Sequence, residues 1–505
     1  MEELNAATRW AQEEYGDAAL GSRRRTKRAM QIVALAAARP GATIAKTFGR
    51  TAAAEGAFRF VENSNVSPEE LAAAPHRAAA RRCAEYPTVV VPIDGTSARV
   101  KDPRDLRGLG PLSSHTDKAR GIQYMHAIAV APTGENLGVL ARESWLRPFA
   151  PPAAQATRRK SGRKTCRERG SRRRGPRRSK AERLRSRRKH SKPREERESM
   201  RWVSMLQSAD ATLKANAPEC LPWYQLDRGG DCWMVIQHAV ENGLTLTVRA
   251  NQNRVLEKTG TYLFSTVRGS IPIGEITANV PKTAKRKARV ATLILRALRV
   301  TIPLPVTRKK RVPYEIGIVQ AVEKDPPADG SERIEWLLLT TRDVHTAAEA
   351  SEVVHAYTRR WRIEDFHRTW KEGACGIESV RLRAYDHIVR WAILMASIAT
   401  RIENIKMLSR TSPELPATQC YTQDEIDAAI LLRSRHRKLR YEPGQVPPLG
   451  EVTRWIADLA GYMGSKNSPP PGATILRRGF EQVETAAQVL AIQRELASRQ
   501  HPGAK

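Results

Sequence analysis

The sequence predicts an α/β core with a β-rich insertion, flanked by helical regions at both ends, and three observations carry that expectation. The run TVVVPIDGTS is β-branched and closes on a carboxylate and turn residues, as a buried central strand does, which places Asp94 at its C-terminal end. Strand-like and helix-like stretches alternate downstream of it. The first 75 residues and those after about 376 instead show helical apolar spacing broken by Pro and Gly.

In order, residues 1–75 read as short helices interrupted by ARPGAT at Ala38 to Thr43, with the basic cluster SRRRTKR at Ser22 to Arg28. That cluster fits a DNA-contacting helix and equally a solvated face. After the Asp94 strand, IQYMHAIAVA and LGVLARESW, joined by a PTGEN turn, complete a three-stranded meander. Between Arg158 and Arg194 the chain carries twenty Lys and Arg against only Glu168 and Glu182, a segment that cannot bury a core and reads as disordered alone, either a phosphate contact or a solvated linker. ESMRWVSMLQSA reads as a helix, CLPWYQLDRGGD as a strand running into a turn at Asp227, and LTLTVRANQNR as a strand. Residues 251–335 read as mostly β, through YLFSTV, ATLILRALRVTIPL and YEIGIVQAV. The basic patch Lys282 to Arg289 within them is read as a DNA contact or a solvated turn. IEWLLLTT makes a further strand, and one long helix is expected from about Ala347 past Lys371.

Length and charge narrow the function. A chain of 505 residues suggests three or four domains, and 86 Lys and Arg against 53 Asp and Glu, a formal +33, favour an anionic polymer, by default nucleic acid. Ribosomal, membrane-surface and tail-bearing proteins share such a balance. The six cysteines contain no C-x-x-C pair, so neither a zinc cage nor a disulfide framework is signalled. The acidic start MEELNAATRW and the short apolar run from Trp391 to Ala399 point to a soluble, cytoplasmic protein without membrane contact.

The segment YTRRWRIEDFHRTWK is the most informative. On one helix, Tyr357, Arg360, Glu364, Arg368 and Lys371 would share a face, one carboxylate among cations. A solvated, salt-bridged helix shows the same alternation. Here Trp361, Phe366 and Trp370 occupy the other faces, which argues for a helix packed on several sides. Phosphodiester cleavage can be run by two magnesium ions about 4 Å apart on hard carboxylate oxygens. Asp94 and Asp227 at strand ends, with Glu364 on a flanking helix, are placed to supply them. His126 and His367 have no second histidine or cysteine at ligand spacing and are read as structural or DNA-facing.

These acids and their surroundings resemble the hairpin-forming DDE transposases of bacterial insertion-sequence family four, marked by a Tyr-Arg-Glu-Lys signature. Tyr357, Arg360, Glu364 and Lys371 match its spacing without a gap. Further similarity lies at Trp10, Gly21, Arg24, Pro40, Gly41, Phe58, Arg59, Phe60 and Asn63, at Asp94 with Thr96, and at Asp227 with Arg228 and Asp231. Two departures stand out: Gly95 follows Asp94 where Thr is expected, and Gly229 follows Arg228 where Glu is expected.

The resemblance implies an α/β RNase H-like catalytic core with a β-rich insertion, plus helical N-terminal and C-terminal domains. Residues 1–75 would bind transposon ends, 76–250 and 336–405 would form the core, 251–335 the insertion, and 406–505 a helical region used in dimerisation. It implies Asp94, Asp227 and Glu364 as catalytic residues holding two Mg2+, for which Mn2+ can substitute. Trp336 would stack a flipped base, while Tyr357, Arg360, Lys371, Arg368 and Arg249 would contact DNA. The implied partners are double-stranded DNA, both terminal inverted repeats and target, and a second copy of the chain in the synaptic complex, at the bacterial nucleoid. The implied reaction is hydrolysis at the transposon end, excision through a hairpin and joining of 3′ ends to target DNA. A catalytically decayed DNA-binding copy and a metal-dependent nuclease without strand transfer remain open.

Overall fold

The computed structural model describes residues 6–41, 43–49, 51–102, 107–112, 119–149, 198–257, 259–280, 288–305, 310–325, 327, 330–436, 438–464 and 470–500. The Arg158 to Arg194 segment and most of the Lys282 to Arg289 patch lie outside the described residues.

Five helices open the chain: α1 (Ala6–Tyr15), α2 (Arg23–Ala38), α3 (Ile44–Phe48), α4 (Thr51–Glu62) and α5 (Pro68–Cys83). Local chemistry sets their ends. The Ser22 side chain caps α2 by accepting from the Arg25 amide, and α2 stops before Gly41, whose φ of +75° suits the turn at ARPGAT. Ser67 caps α5, Pro68 opens it, Glu69 and Glu70 lie in its first turn and Arg81 and Arg82 in its last, each sign matched to the helix dipole. The helix continues through Pro75, so the N-terminal helical region extends to Cys83 and past the expected boundary at 75.

The strands β1 (Thr88–Arg99), β2 (Gly110–Pro111), β3 (Arg120–Val130), β4 (Asn136–Trp145), β5 (Leu221–Leu226), β6 (Thr245–Arg249), β7 (Gly274–Val280), β8 (Arg289–Pro305), β9 (Arg311–Glu323) and β10 (Glu335–Thr340) form one mixed sheet. Its order is β2-β3-β1-β5-β6-β10-β9-β8-β7, with β4 also paired to β3. β1, β3 and β4 are the expected antiparallel meander, while β5 and β6 run parallel to β1. The β-rich insertion is continuous with this sheet: β9 pairs with β10 and β10 with β6, so β7 to β9 extend the core laterally.

Alternating side chains give the sheet two packed faces. Val90, Tyr124, Trp223 and Leu338 share one core with α2, with α9 (Ala347–Thr358) and α10 (Trp361–Lys371), and with α11 (Tyr385–Thr411). Val91, Ile93, Met125, Leu226 and Leu339 on the other face pack with α6 (Met200–Asn216) and α7 (Trp233–Glu241). Helices α12 (Gln423–Ser434), α13 (Leu449–Leu459) and α14 (Ala473–Gln500) build a third core after α11. The apolar run from Trp391 to Ala399 is buried in α11, and among the described residues no helix is long and apolar enough to cross a membrane. The five described cysteines are free.

Two expectations are corrected, and the described cation of the basic patch is found paired. YLFSTV is read as a strand, but Leu263–Arg268 is a short helix, α8. An apolar run of this length has no decisive period. Here the Thr266 and Gly269 amides donate to the Tyr262 and Ser265 carbonyls, each at 3.0 Å, and close helical turns to which the Ser265 and Thr266 hydroxyls only add bonds. The long helix from Ala347 past Lys371 is two helices, broken between α9 and α10. Thr358 Oγ1 and Arg359 Nη1 take the His355 carbonyl, which a continuing α-helix would offer to the Arg359 amide. The amides of Arg359 and Arg360 therefore reach back only to Ala356 and Tyr357. Finally, Arg289, the described cation of the Lys282 to Arg289 patch, is held by Glu323 through two bonds of 2.8 and 2.9 Å.

The N-terminal helices are locked to α11. Arg390, 5% exposed, donates to the carbonyls of Val66 at 2.6 Å and Val61 at 3.1 Å, and Tyr15 and Ser397 share a hydroxyl hydrogen bond of 3.1 Å. Replacing Arg390 by Met orphans two buried carbonyls, and urea unfolding is expected to show a loss of roughly 3 kcal/mol. A loss within error would mean that the tie is not structural.

Candidate active site

Strand register brings the first two acids together. β1 and β5 run parallel with Ile93 opposite Leu226, so Asp94 and Asp227 follow level with each other where that ladder ends; Asp227 lies just past β5, but Asp94 is not at the end of its strand as expected, because β1 continues to Arg99 through its pairing with β3. Ile93 and Leu226 face the α6 side, and alternation turns both acids to the opposite face, where α10 lies. Each carboxylate is steadied by a glycine amide: Gly95 N–H donates to Asp94 Oδ1 at 2.8 Å, and Gly229 N–H to Asp227 Oδ1 at 2.7 Å. The two unexpected glycines therefore have different settings. A Cβ at Gly229 would stand 2.9 Å from Asp227 Oδ1 and 3.1 Å from the Trp202 ring, so the tight turn has little room for one. At Gly95 the nearest atom would be the Met125 methyl at 3.6 Å, an ordinary contact.

Helix α10 supplies the third acid. Phe366, His367 and Trp370 are buried on it, which turns Glu364 to the edge of the sheet, with its side chain 34% exposed. Arg360, 5% exposed, bridges the acids: its Nη2 lies 2.6 Å from Glu364 Oε1 and its Nη1 3.7 Å from Asp94 Oδ2. Tyr357, buried at the end of α9, lies beside the guanidinium groups of Arg360, 5.8 Å from its ring, and Arg249, which donates to the Glu335 carbonyl at 3.1 Å. Its ring meets half-buried Trp336 at 5.9 Å and 61°. The structure thus gathers Asp94, Asp227, Glu364, Arg360, Tyr357, Arg249 and Trp336, although the stripe expected on one helix is divided between two. Lys371 lies near enough to His367 to act on its charge. Arg368 does not join the cluster: it is exposed and bound to Asp365 at 3.0 Å.

Burial, and next the repulsion of Asp227, push the Asp94 carboxyl up to about 7, against the opposing pull of Arg360 and the Gly95 amide. This surplus of negative charge on hard oxygen donors suits a divalent cation. Among the described residues no three His, Cys, Asp or Glu side chains are gathered closely enough to hold a metal ion, and Arg360 provides the positive charge between Asp94 and Glu364.

Two features escape local sequence spacing. His126 and His367, 241 residues apart, meet with Nδ1 and Nε2 at 3.1 Å, both buried and both held neutral chiefly by burial. Asp231 has a fully buried side chain that accepts from the Asn251 and Gln252 amides, at 2.6 and 2.8 Å, and from Arg254 at 2.5 Å. It anchors the loop that leaves β6 immediately after Arg249. The only sequence signal for it is its place four residues after Asp227.

Asp231→Ala orphans two amides and a largely buried guanidinium, and is expected to lower stability by roughly 3 kcal/mol in urea unfolding. Retention of full stability would show that the loop does not depend on it. A pH dependence also follows. Because the folded chain holds the Asp94 proton more tightly than the unfolded one, that stability is full below pH 3.8 and is lost as the pH rises through about 7. Metal-free unfolding at pH 5 and pH 8 should show this drop in the native sequence and less of it in Asp94→Asn; equal drops would place the titration elsewhere.

Comparison with known families gives the order of domains along the chain. Residues 7–66 match the family described as Transposase DNA-binding, residues 142–400 the Transposase DDE domain and residues 397–496 the Transposase Tn5 dimerisation domain. The DDE match contains Asp227, Arg249, Trp336, Tyr357, Arg360 and Glu364 and begins after Asp94, whose place rests on the β1–β5 register. A DDE domain implies an RNase H-like core, here a mixed sheet between helical terminal regions. The chain belongs to the DDE transposases, with a DNA-binding, a catalytic and a dimerisation domain in that order.

Proposed function

We propose that this transposase is of the hairpin-forming group of insertion-sequence family four and moves its element by cut and paste, with Asp94, Asp227 and Glu364 as its catalytic acids. The observation that supports it most is the gathering of those acids with Arg360, Tyr357, Arg249 and Trp336 at one end of the sheet. The three carboxylates would hold two Mg2+, or Mn2+ in their place, which when bound activate the attacking oxygen and neutralise charge at phosphorus.

The protein's own groups do the rest. Arg360, Tyr357, Arg249 and Lys371 hold phosphates around the scissile bond, and Trp336, half-buried beside Tyr357, offers an aromatic face to a base that leaves the stack. Water opens one strand and frees a 3′ hydroxyl. That hydroxyl attacks the opposite strand to close a hairpin, a second water reopens it, and the same hydroxyl then attacks target DNA. Residues 1–75 bind the terminal inverted repeats, residues 406–505 pair two protomers across them, and the complex works at the nucleoid.

The test is cleavage, with magnesium, of a supercoiled plasmid carrying the element's own ends. The native protein should release the element through hairpin ends. Glu364→Gln should bind the ends and leave them uncut, and Trp336→Ala should nick at a near-native rate while hairpin formation falls by about tenfold or more. Binding without cutting by the native protein would select the decayed copy. Nicking without hairpins or strand joining would select a nuclease.

A further inference from the structure

We infer that the buried His126–His367 pair is a positioning device for the metal-binding acids, setting where Glu364 stands relative to Asp94. This rests on the proposed role of those acids.

The pair spans the site. His126 lies directly across from Asp94 in the β1–β3 register, and His367 lies one helical turn after Glu364 on α10. The 3.1 Å bond between the two rings therefore links the strand residue beside one acid to the helix residue beside another. Phe366 and Trp370 meet the His126 ring edge-on at 5.4 and 5.2 Å and Tyr124 stacks over it at 6.0 Å, and the ring also borders a small cavity lined by Glu14, His76 and Arg142. Burying two imidazoles there costs free energy that an apolar pair would not. A directional bond provides what apolar contact does not, a single rotation and a single axial setting of the helix on the sheet. Two residues after His367, Thr369 donates to buried Glu403 of α11, which Lys406 holds at 2.6 Å, so α10 is referenced to the sheet on one side and to α11 on the other. Glu364 itself has Arg360 as its hydrogen-bond partner among the described residues, so its position follows that of the helix.

Mn2+ affinity of the full chain, measured from free Mn2+ by electron paramagnetic resonance, tests this without any DNA cleavage. His367→Leu, packed but unable to bond, should weaken Mn2+ binding by about tenfold to a hundredfold, while His367→Gln, which keeps a polar group near the Nε2 position, should recover most of it. His126→Leu should match His367→Leu, and the double variant should be little worse than either, since one bond is lost in each case. Circular dichroism confirms the fold, and Asp94→Asn is the reference. If Asp94→Asn abolishes Mn2+ binding while folded His367→Leu keeps native affinity, the positioning role is overturned and the acids stand. If Asp94→Asn leaves binding unchanged, the assignment of the acids falls. Equal loss in His367→Leu and His367→Gln would also overturn the proposal, because packing and not the hydrogen bond would then be what matters.

Discussion

Parallel pairing of β1 with β5 is the constraint on which the site depends. Because Ile93 and Leu226 end that ladder opposite one another, Asp94 and Asp227 emerge level and on the same face, where the Gly95 and Gly229 amides steady them. Two carboxylates so placed repel, and burial sharpens the repulsion. The apolar side chains behind them, Ile93 and Leu226 over α6 and α7, fix the backbone that carries this unfavourable arrangement. The strain of the site is thus carried by the sheet and its second core.

The other half of the site is brought in by α10. Its aromatic side chains grip the sheet, and its polar edge meets the acids through Arg360, which serves as a counter-ion to two of them at once. Tyr357 then stands beside Arg360 and Arg249, and Trp336 closes the group on the far strand. Two acids at the limit of one ladder, a helix edge and a buried tyrosine thus converge on one patch in which three carboxylates stand against two arginines.

Much of this was legible in the chain itself. The β-branched run into Asp94 and the tight spacing around Glu364 mark short-range facts: a buried strand, and a helix with one carboxylate among cations. The family resemblance also singled out Trp336 and Arg249, 28 and 115 residues before Glu364, which the fold brings beside Tyr357. What could not be read depends on hydrogen bonds made in three dimensions. The break between α9 and α10 follows from two side chains capturing one carbonyl, and Arg368 follows Asp365 and not the acids. The helix at Leu263–Arg268 is closed by the Thr266 and Gly269 amides on the Tyr262 and Ser265 carbonyls, where the apolar pattern alone suggests a strand. The His126–His367 bond joins residues 241 positions apart and leaves no trace in local spacing.

The continuity of the sheet bears on how firmly the site is held. The strands β7, β8 and β9 are appended beyond β10, so the outermost of them stands four strand spacings from β6, roughly 19 Å. Leu293, Leu295, Ile302, Ile318 and Val319 of β8 and β9 are fully buried in the two cores, so these strands are no loose fringe. They act as a buttress: the wider the sheet behind β10, the more packed surface resists any sideways slip of the ladder that sets the acids.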